Sequence, residues 1–170
     1  MVQRSEIKSH GVRLLLSNHK RIRRIKKGYA PSNHGYKVWP SAWLLIDYFK
    51  KNALAPGQRI LDVGCGWGLS GIFCARYLNA TVTSIDGDEE VYPYLSLMAE
   101  INRAEIKFIS MDIDKIRRPI LENIDIIIGS DICFFDSLVD PVRRLINRAK
   151  GAAVKQIYIS DPGRSPFEDL

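Results

Sequence analysis

The residues best suited to chemistry in this 170-residue chain stand where apolar runs stop. Asp62-Val63-Gly64-Cys65-Gly66-Trp67-Gly68 sets one carboxylate ahead of three alternate glycines, and Gly71 follows. Asp86, Asp112 and Asp131 close three later β-branched runs. Closely spaced glycines leave bare backbone against which a ligand can lie. Carboxylates beside them can hold hydroxyls or an ammonium group.

Two registers fit these glycines. Gly66, Gly68 and Gly71 spell G-x-G-x-x-G, and Asp86 falls 20 residues after Gly66, the spacing of a dinucleotide fingerprint. In that register Gly64 and Cys65 would separate the strand from its own turn. The second register starts at Asp62 and reads Asp-x-Gly-x-Gly-x-Gly. An acid one step before the turn repels a pyrophosphate and suits a ligand with a cationic amine. S-adenosylmethionine carries an α-amino group and a ribose but no phosphate, so it fits this charge pattern better. Gly71 then becomes a close-packing position in the helix that follows.

The elements that position these residues alternate. Runs 59–63, 81–86, 106–112, 124–131 and 155–161 read as strands. Between them lie helical stretches at 69–78, at 89–103 capped by Asp88, and at 140–151, where Asp140 is the cap and Pro141 the first helical residue. A further helix, 41–52, is expected to start from a Ser41 cap just after Pro40. The predicted fold class is α/β, a Rossmann-like, mostly parallel sheet with helices on both faces.

Composition narrows the function classes. An apolar fraction of 46% with 26% charged residues is that of a globular domain, and no apolar run nears the length that spans a bilayer. The net charge of +6 is concentrated: residues 1–30 hold nine Lys or Arg against Glu6 alone. Residues 5–27 read as a basic helix broken near Gly11 and Ser17-Asn18-His19, and 28–36 as a loop. Residues 19–27 form a solvated face in the plainest reading; an acidic partner or an organellar transit peptide are alternatives, and nucleic acid is disfavoured for want of interleaved aromatics. Cys65, Cys74 and Cys133 lack metal or disulfide spacing, which points to reduced thiols, no metal site and a cytoplasmic setting, or a mitochondrial one if the start is a transit peptide.

The stretch "LDVGCGWGLSG" resembles the first motif of the class I, seven-stranded S-adenosylmethionine-dependent methyltransferases, and "SIDGDEE" their second. "HGYKVWPSAWLLIDYF", "GSDICFFDSLVDPVRRL" and "ISDPGRSPF" are similar to one subgroup, the lysine methyltransferases related to the enzyme of the electron-transfer-flavoprotein β subunit and its bacterial relatives. The likeness covers about residues 33–170, which leaves 1–32 as a basic N-terminal extension. Members normally add an antiparallel hairpin after the fifth strand. This chain ends at Leu170, so either the sequence is truncated there or the hairpin is expected to be lacking, with the fifth strand an edge that the basic arm could cover.

By this resemblance the cofactor site comprises Trp39, Asp62, Gly64, Gly66, Asp86, Asp112 and Ser130. Gly64 and Gly66 admit the methionine end, Asp62 serves its amino group and Asp86 takes the ribose hydroxyls. Asp112 addresses the adenine amine or is a surface acid, with Met111 beside the ring or in the core. A bulky residue at Gly64 should block binding by sterics. Trp67 replaces a usually small residue and faces either ligand or solvent. Asp131 is the expected catalytic acid, holding a lysine amine and aiming its lone pair. Phe134 and Phe135 wall the substrate, with Phe134 standing where relatives often carry Tyr. The implied activity is N-methylation of a protein lysine; alternatives are a small-molecule N-methyltransferase, a non-catalytic cofactor binder and, more distantly, a dehydrogenase.

Overall fold

Successive residues of one strand feed two different cores. In a computed structural model, which describes residues 4–32, 34–152 and 154–170, Ile126 and Ile128 of one strand join one apolar cluster while Ile127 joins another. Ile60 and Leu61 divide in the same way. Side chains alternate across a pleated strand, so a run of β-branched residues lets helices pack on both faces.

The sheet has five parallel strands, β3 (Arg59–Val63), β4 (Thr81–Asp86), β5 (Ile106–Ser110), β6 (Ile126–Ser130) and β7 (Gln156–Ser160), in the order β5-β4-β3-β6-β7. One face carries α2 (Pro40–Lys51), α3 (Leu69–Tyr77) and α4 (Tyr92–Asn102), with Ile46, Phe49, Ile72, Phe73 and Met98 fully buried. The other carries α5 (Arg118–Leu121) and α6 (Asp136–Lys150), through Leu121, Leu145 and Ala149. This is the expected α/β class. Among the described residues the sheet has no antiparallel strand. Strand order reverses between β3 and β6, and the carboxyl ends there form the crevice where open α/β sheets bind ligands.

Three local expectations are corrected. Residues 5–27 are not a broken helix: β1 (Glu6–Ser9) and β2 (Val12–Leu15) form a hairpin, and only α1 (Lys20–Ile25) is helical. His10 and Gly11 both take positive φ (50° and 82°), the geometry of a two-residue hairpin turn. Val12-Arg13-Leu14 alternates in burial with a period of two, which a helix cannot use. Val12, Leu15 and Ile22 then enter the main core beside α3 and α4. The buried Asn102 accepts from Arg13 N at 2.8 Å and donates to Arg13 O at 2.9 Å, continuing the edge of β2. Among the described residues the arm packs on α3 and α4. The expected boundary at residue 33 falls on Asn33, outside the described residues.

The second correction concerns α2, where Pro40 is the first helical residue, Trp39 is the cap, and the Ser41 hydroxyl is buried inside the helix without a partner. The third concerns α6, which begins at Asp136 rather than Asp140 and carries Pro141 inside it. Within the first turn of a helix the proline's missing N–H costs no hydrogen bond. Pro141 stands beyond that turn, so its place is set by packing of Val139, Val142 and Leu145 rather than by local preference.

Candidate active site

The turn after β3 enters a cavity of about 280 Å³. Gly64, Gly66 and Gly68 take φ of 60°, 50° and 74°, a region that side chains rarely adopt. Their surroundings differ. A Cβ on Gly66 would meet nothing within 4 Å, so this backbone faces open space. At Gly64 it would lie 2.7 Å from Ile132 Cγ2, so a bulky residue there strains the fold before any ligand arrives. A Cβ on Gly71 would lie 2.7 Å from Asp62 Oδ2, which is the close packing expected of it.

Asp62 is buried on β3, and burial pushes its carboxyl up to about 7. The Gly71 backbone N–H and Ser84 Oγ (3.5 Å) partly offset that cost. No cation partners it among the described residues. Asp86, at the end of β4, accepts from Gly66 N at 2.9 Å and Asp88 N at 3.0 Å. Burial raises its pKa too, against the pull of those backbone donors. Both acids line the cavity, as do Gly64, Gly66, Trp39, Asp112 and Ser130.

Asp112 shows a mixed character. It lines the cavity, yet its carboxylate is largely exposed and pairs with Lys115 at 3.1 Å. Met111 packs on the Leu61 and Ile85 cluster and stays outside the cavity lining. Ser130 Oγ lies 3.1 Å from Ser70 Oγ and 3.2 Å from Ser160 Oγ, which in turn donates to Ser41 O at 2.8 Å. That hydroxyl chain ties β6, β7, α2 and α3 together below the cavity floor.

Trp67 is buried from solvent and lines the cavity. It stacks on Tyr94 with centroids 4.8 Å apart and donates from Nε1 to Gly35 O at 2.9 Å. Tyr94 Oη donates to Tyr29 O, while Asp88 and Glu90 accept from Ser32 N and Ala30 N. Tyr29, Ala30, Ser32 and Gly35 are thereby tied to Trp67 of the glycine turn and to residues 88–94.

On the opposite wall, Asp131 follows β6 with φ of 63° and is buried. Both its oxygens contact the Arg164 guanidinium. Burial still raises its pKa, more than the Arg164 charge lowers it. Phe134 lines the cavity and stacks on His34 at 4.0 Å; His34 also tilts against Trp39 at 4.8 Å. Burial, followed by the Arg164 charge, lowers the His34 pKa, and its Nδ1 is buried without a partner. Phe135, expected in the substrate wall, is 49% exposed and outside the lining, reaching the site through edge contacts to His34 and Phe134. The start of α6 turns it outward. His34, Lys37 and Arg164 had no assigned role in the sequence, although the motifs that contain them were already singled out.

A sequence model of the lysine methyltransferase family matches residues 18–166. The chain belongs to this family. It is 28% identical over 134 residues to the electron transfer flavoprotein beta subunit lysine methyltransferase of Danio rerio, covering 77% of this chain and 50% of that protein. It is 34% identical over 111 residues to the histidine protein methyltransferase 1 homolog of Dictyostelium discoideum, covering 59% and 34%. The chain thus spans half or less of these relatives' lengths. Among solved structures, an S-adenosylmethionine-dependent methyltransferase of Methanococcus maripaludis superposes with a TM-score of 0.55 at 19% identity, over 70% of this chain and 54% of that one. Coclaurine N-methyltransferase, solved with S-adenosylhomocysteine, gives 0.55 at 17%, over 84% and 40%. These likenesses carry the fold of the family member.

The donor set fits S-adenosylmethionine. Gly66 leaves space for a ligand, and Asp86 presents a carboxylate to that space. Asp62 is a buried acid without a cation partner among the described residues, and the cavity's lysine, Lys37, lies over the Trp39 ring rather than on the glycine turn. Among the described residues no cluster of three His, Cys, Asp or Glu could hold a metal ion, and no helix is long and apolar enough to cross a membrane.

Proposed function

We propose that this family member is an S-adenosylmethionine-dependent N-methyltransferase whose acceptor is a lysine of a protein. The observation that carries the reading is one cavity lined both by the Asp62-to-Gly66 turn with Asp86 and by Asp131 with its aromatic wall. The cofactor supplies a methyl group on a sulfonium, already a good leaving group. The protein's part is therefore alignment and exclusion of water.

Asp86 would bind the ribose hydroxyls and Asp62 the amino group. Trp39 and Phe134 provide an apolar wall that sheds water from the reacting atoms. Asp131 would hold the acceptor nitrogen. Because Arg164 already balances its charge, Asp131 gains less from a second cation than from an N–H of the neutral amine. That favours the nucleophilic form of a lysine whose ordinary pKa is about 10.4. The displaced proton leaves to solvent.

Calorimetry with S-adenosylmethionine and with NAD tests the cofactor; binding of NAD alone would overturn the reading. Incubating a cell extract with labelled cofactor tests the acceptor, since label in small molecules rather than protein would displace the lysine assignment. Asp131→Ala should abolish transfer to protein while cofactor affinity stays intact; unchanged turnover would remove Asp131 from its role.

A further inference from the structure

The geometry points to Lys37 as a lysine that this protein methylates on itself, an inference that rests on the methyltransferase reading above. Lys37 lines the same cavity as Gly66, Asp86 and Asp131. Its Nζ lies 3.9 Å from the centroid of the Trp39 ring, and Trp39 lines that cavity too. The amine is therefore held against an aromatic face at the open rim of the cavity whose lining also includes Asp131.

The backbone around it is fixed. Trp39 Nε1 donates to His34 O at 2.8 Å, and Trp67 Nε1 donates to Gly35 O at 2.9 Å. Lys37 thus sits on a short span anchored on both sides to the cavity wall, and its local concentration there exceeds that of any free amine. The Trp39 contact survives the modification, because a methylated ammonium keeps its charge and its attraction to the ring.

In the transfer, the lone pair of deprotonated Lys37 Nζ forms a bond to the methyl carbon of S-adenosylmethionine. The carbon–sulfur bond breaks, its electron pair stays on sulfur, and S-adenosylhomocysteine leaves. The proton that Nζ had to lose goes to solvent.

The test uses the full chain incubated with S-adenosylmethionine and no other acceptor, followed by peptide mapping by mass spectrometry. One methyl mass is expected on the peptide carrying Lys37, with a rate per molecule that does not change on dilution. Lys37→Arg should lose that label. Methyl groups confined to other lysines, or a rate rising with protein concentration, would overturn methylation in cis.

Calorimetry with S-adenosylhomocysteine runs alongside. Binding without modification of Lys37 rejects this inference alone, whereas absence of binding removes the methyltransferase reading with it. A readout independent of turnover uses protein whose lysines carry isotope-labelled methyls added chemically. The Lys37 signal, identified by its loss in Lys37→Arg, should be shifted by the Trp39 ring. It should also move on adding S-adenosylhomocysteine more than the other lysine signals. A Lys37 signal indifferent to that ligand would count against the placement.

Discussion

The two halves of the cavity handle buried charge in opposite ways. Around the glycine turn, Asp62 and Asp86 are held by backbone N–H groups and a serine, without a cation, and burial raises both. Across the cavity, burial raises Asp131 as well, but this acid carries the Arg164 guanidinium, within a wall of His34, Trp39 and Phe134. A buried acid without a partner is costly, and a cationic ligand relieves that cost. A paired acid has less to gain from a further cation. The first half is thus suited to a cationic ligand and, in the proposed reading, the second to a group that is nearly neutral.

The largest expected effect breaks the first half. Asp62 has its carboxyl raised to about 7, so its protonated form is the one the fold favours. The stability this contributes is complete below the ordinary value of 3.8 and is lost as pH rises through about 7. Asp62→Asn should remove that fall, a difference of about 4 kcal/mol at most. Urea denaturation at acidic and mildly alkaline pH measures it; parallel curves for the two proteins would show that Asp62 is not strained by burial.

Next comes Asp86→Ala, which removes the carboxylate proposed to bind both ribose hydroxyls and should weaken S-adenosylhomocysteine binding by roughly 3 kcal/mol, more than ~100-fold in Kd. Calorimetry reads this directly, and a change under threefold, about 0.7 kcal/mol, would place the ribose elsewhere.

Arg164→Gln sharpens the contrast from the other side, leaving Asp131 buried without its cation. Arg164 is partly exposed, so the cost is discounted to about 2 kcal/mol. Thermal denaturation should show a lower Tm with Asp131 titrating still higher. An unmoved Tm would mean that the pair adds nothing to the fold.

The smallest effect belongs to the strap above both halves. Trp67→Phe keeps the stacking on Tyr94 but deletes the bond to Gly35 O, worth about 1 kcal/mol. Amide exchange in residues 28–36 should quicken while the sheet stays protected; uniform exchange in both would show that the strap is held without Trp67.

Much of this was readable from residue types. β-Branched runs ending in Asp86 and Asp131, and glycines after Asp62, fix strand ends and turn by local physics: pleat periodicity and positive φ. The hairpin was misread because Lys and Arg at 4–27 masked a two-residue alternation only four residues long on each strand. Phe135 lies outside the cavity lining because the start of α6 depends on packing, not on its Asp-Pro signal.

What the sequence by itself determined is the sheet, its glycine turn and the acids at its carboxyl edge, because each follows from the conformational preference of neighbouring residues. Only the tertiary structure decided that Arg164 sits on Asp131, 33 residues away, and that Trp67 holds Gly35. It alone seats Lys37 on Trp39 at the cavity rim. Such contacts join chain segments through packing, and no local preference encodes which distant side chain a buried charge or an aromatic face will meet.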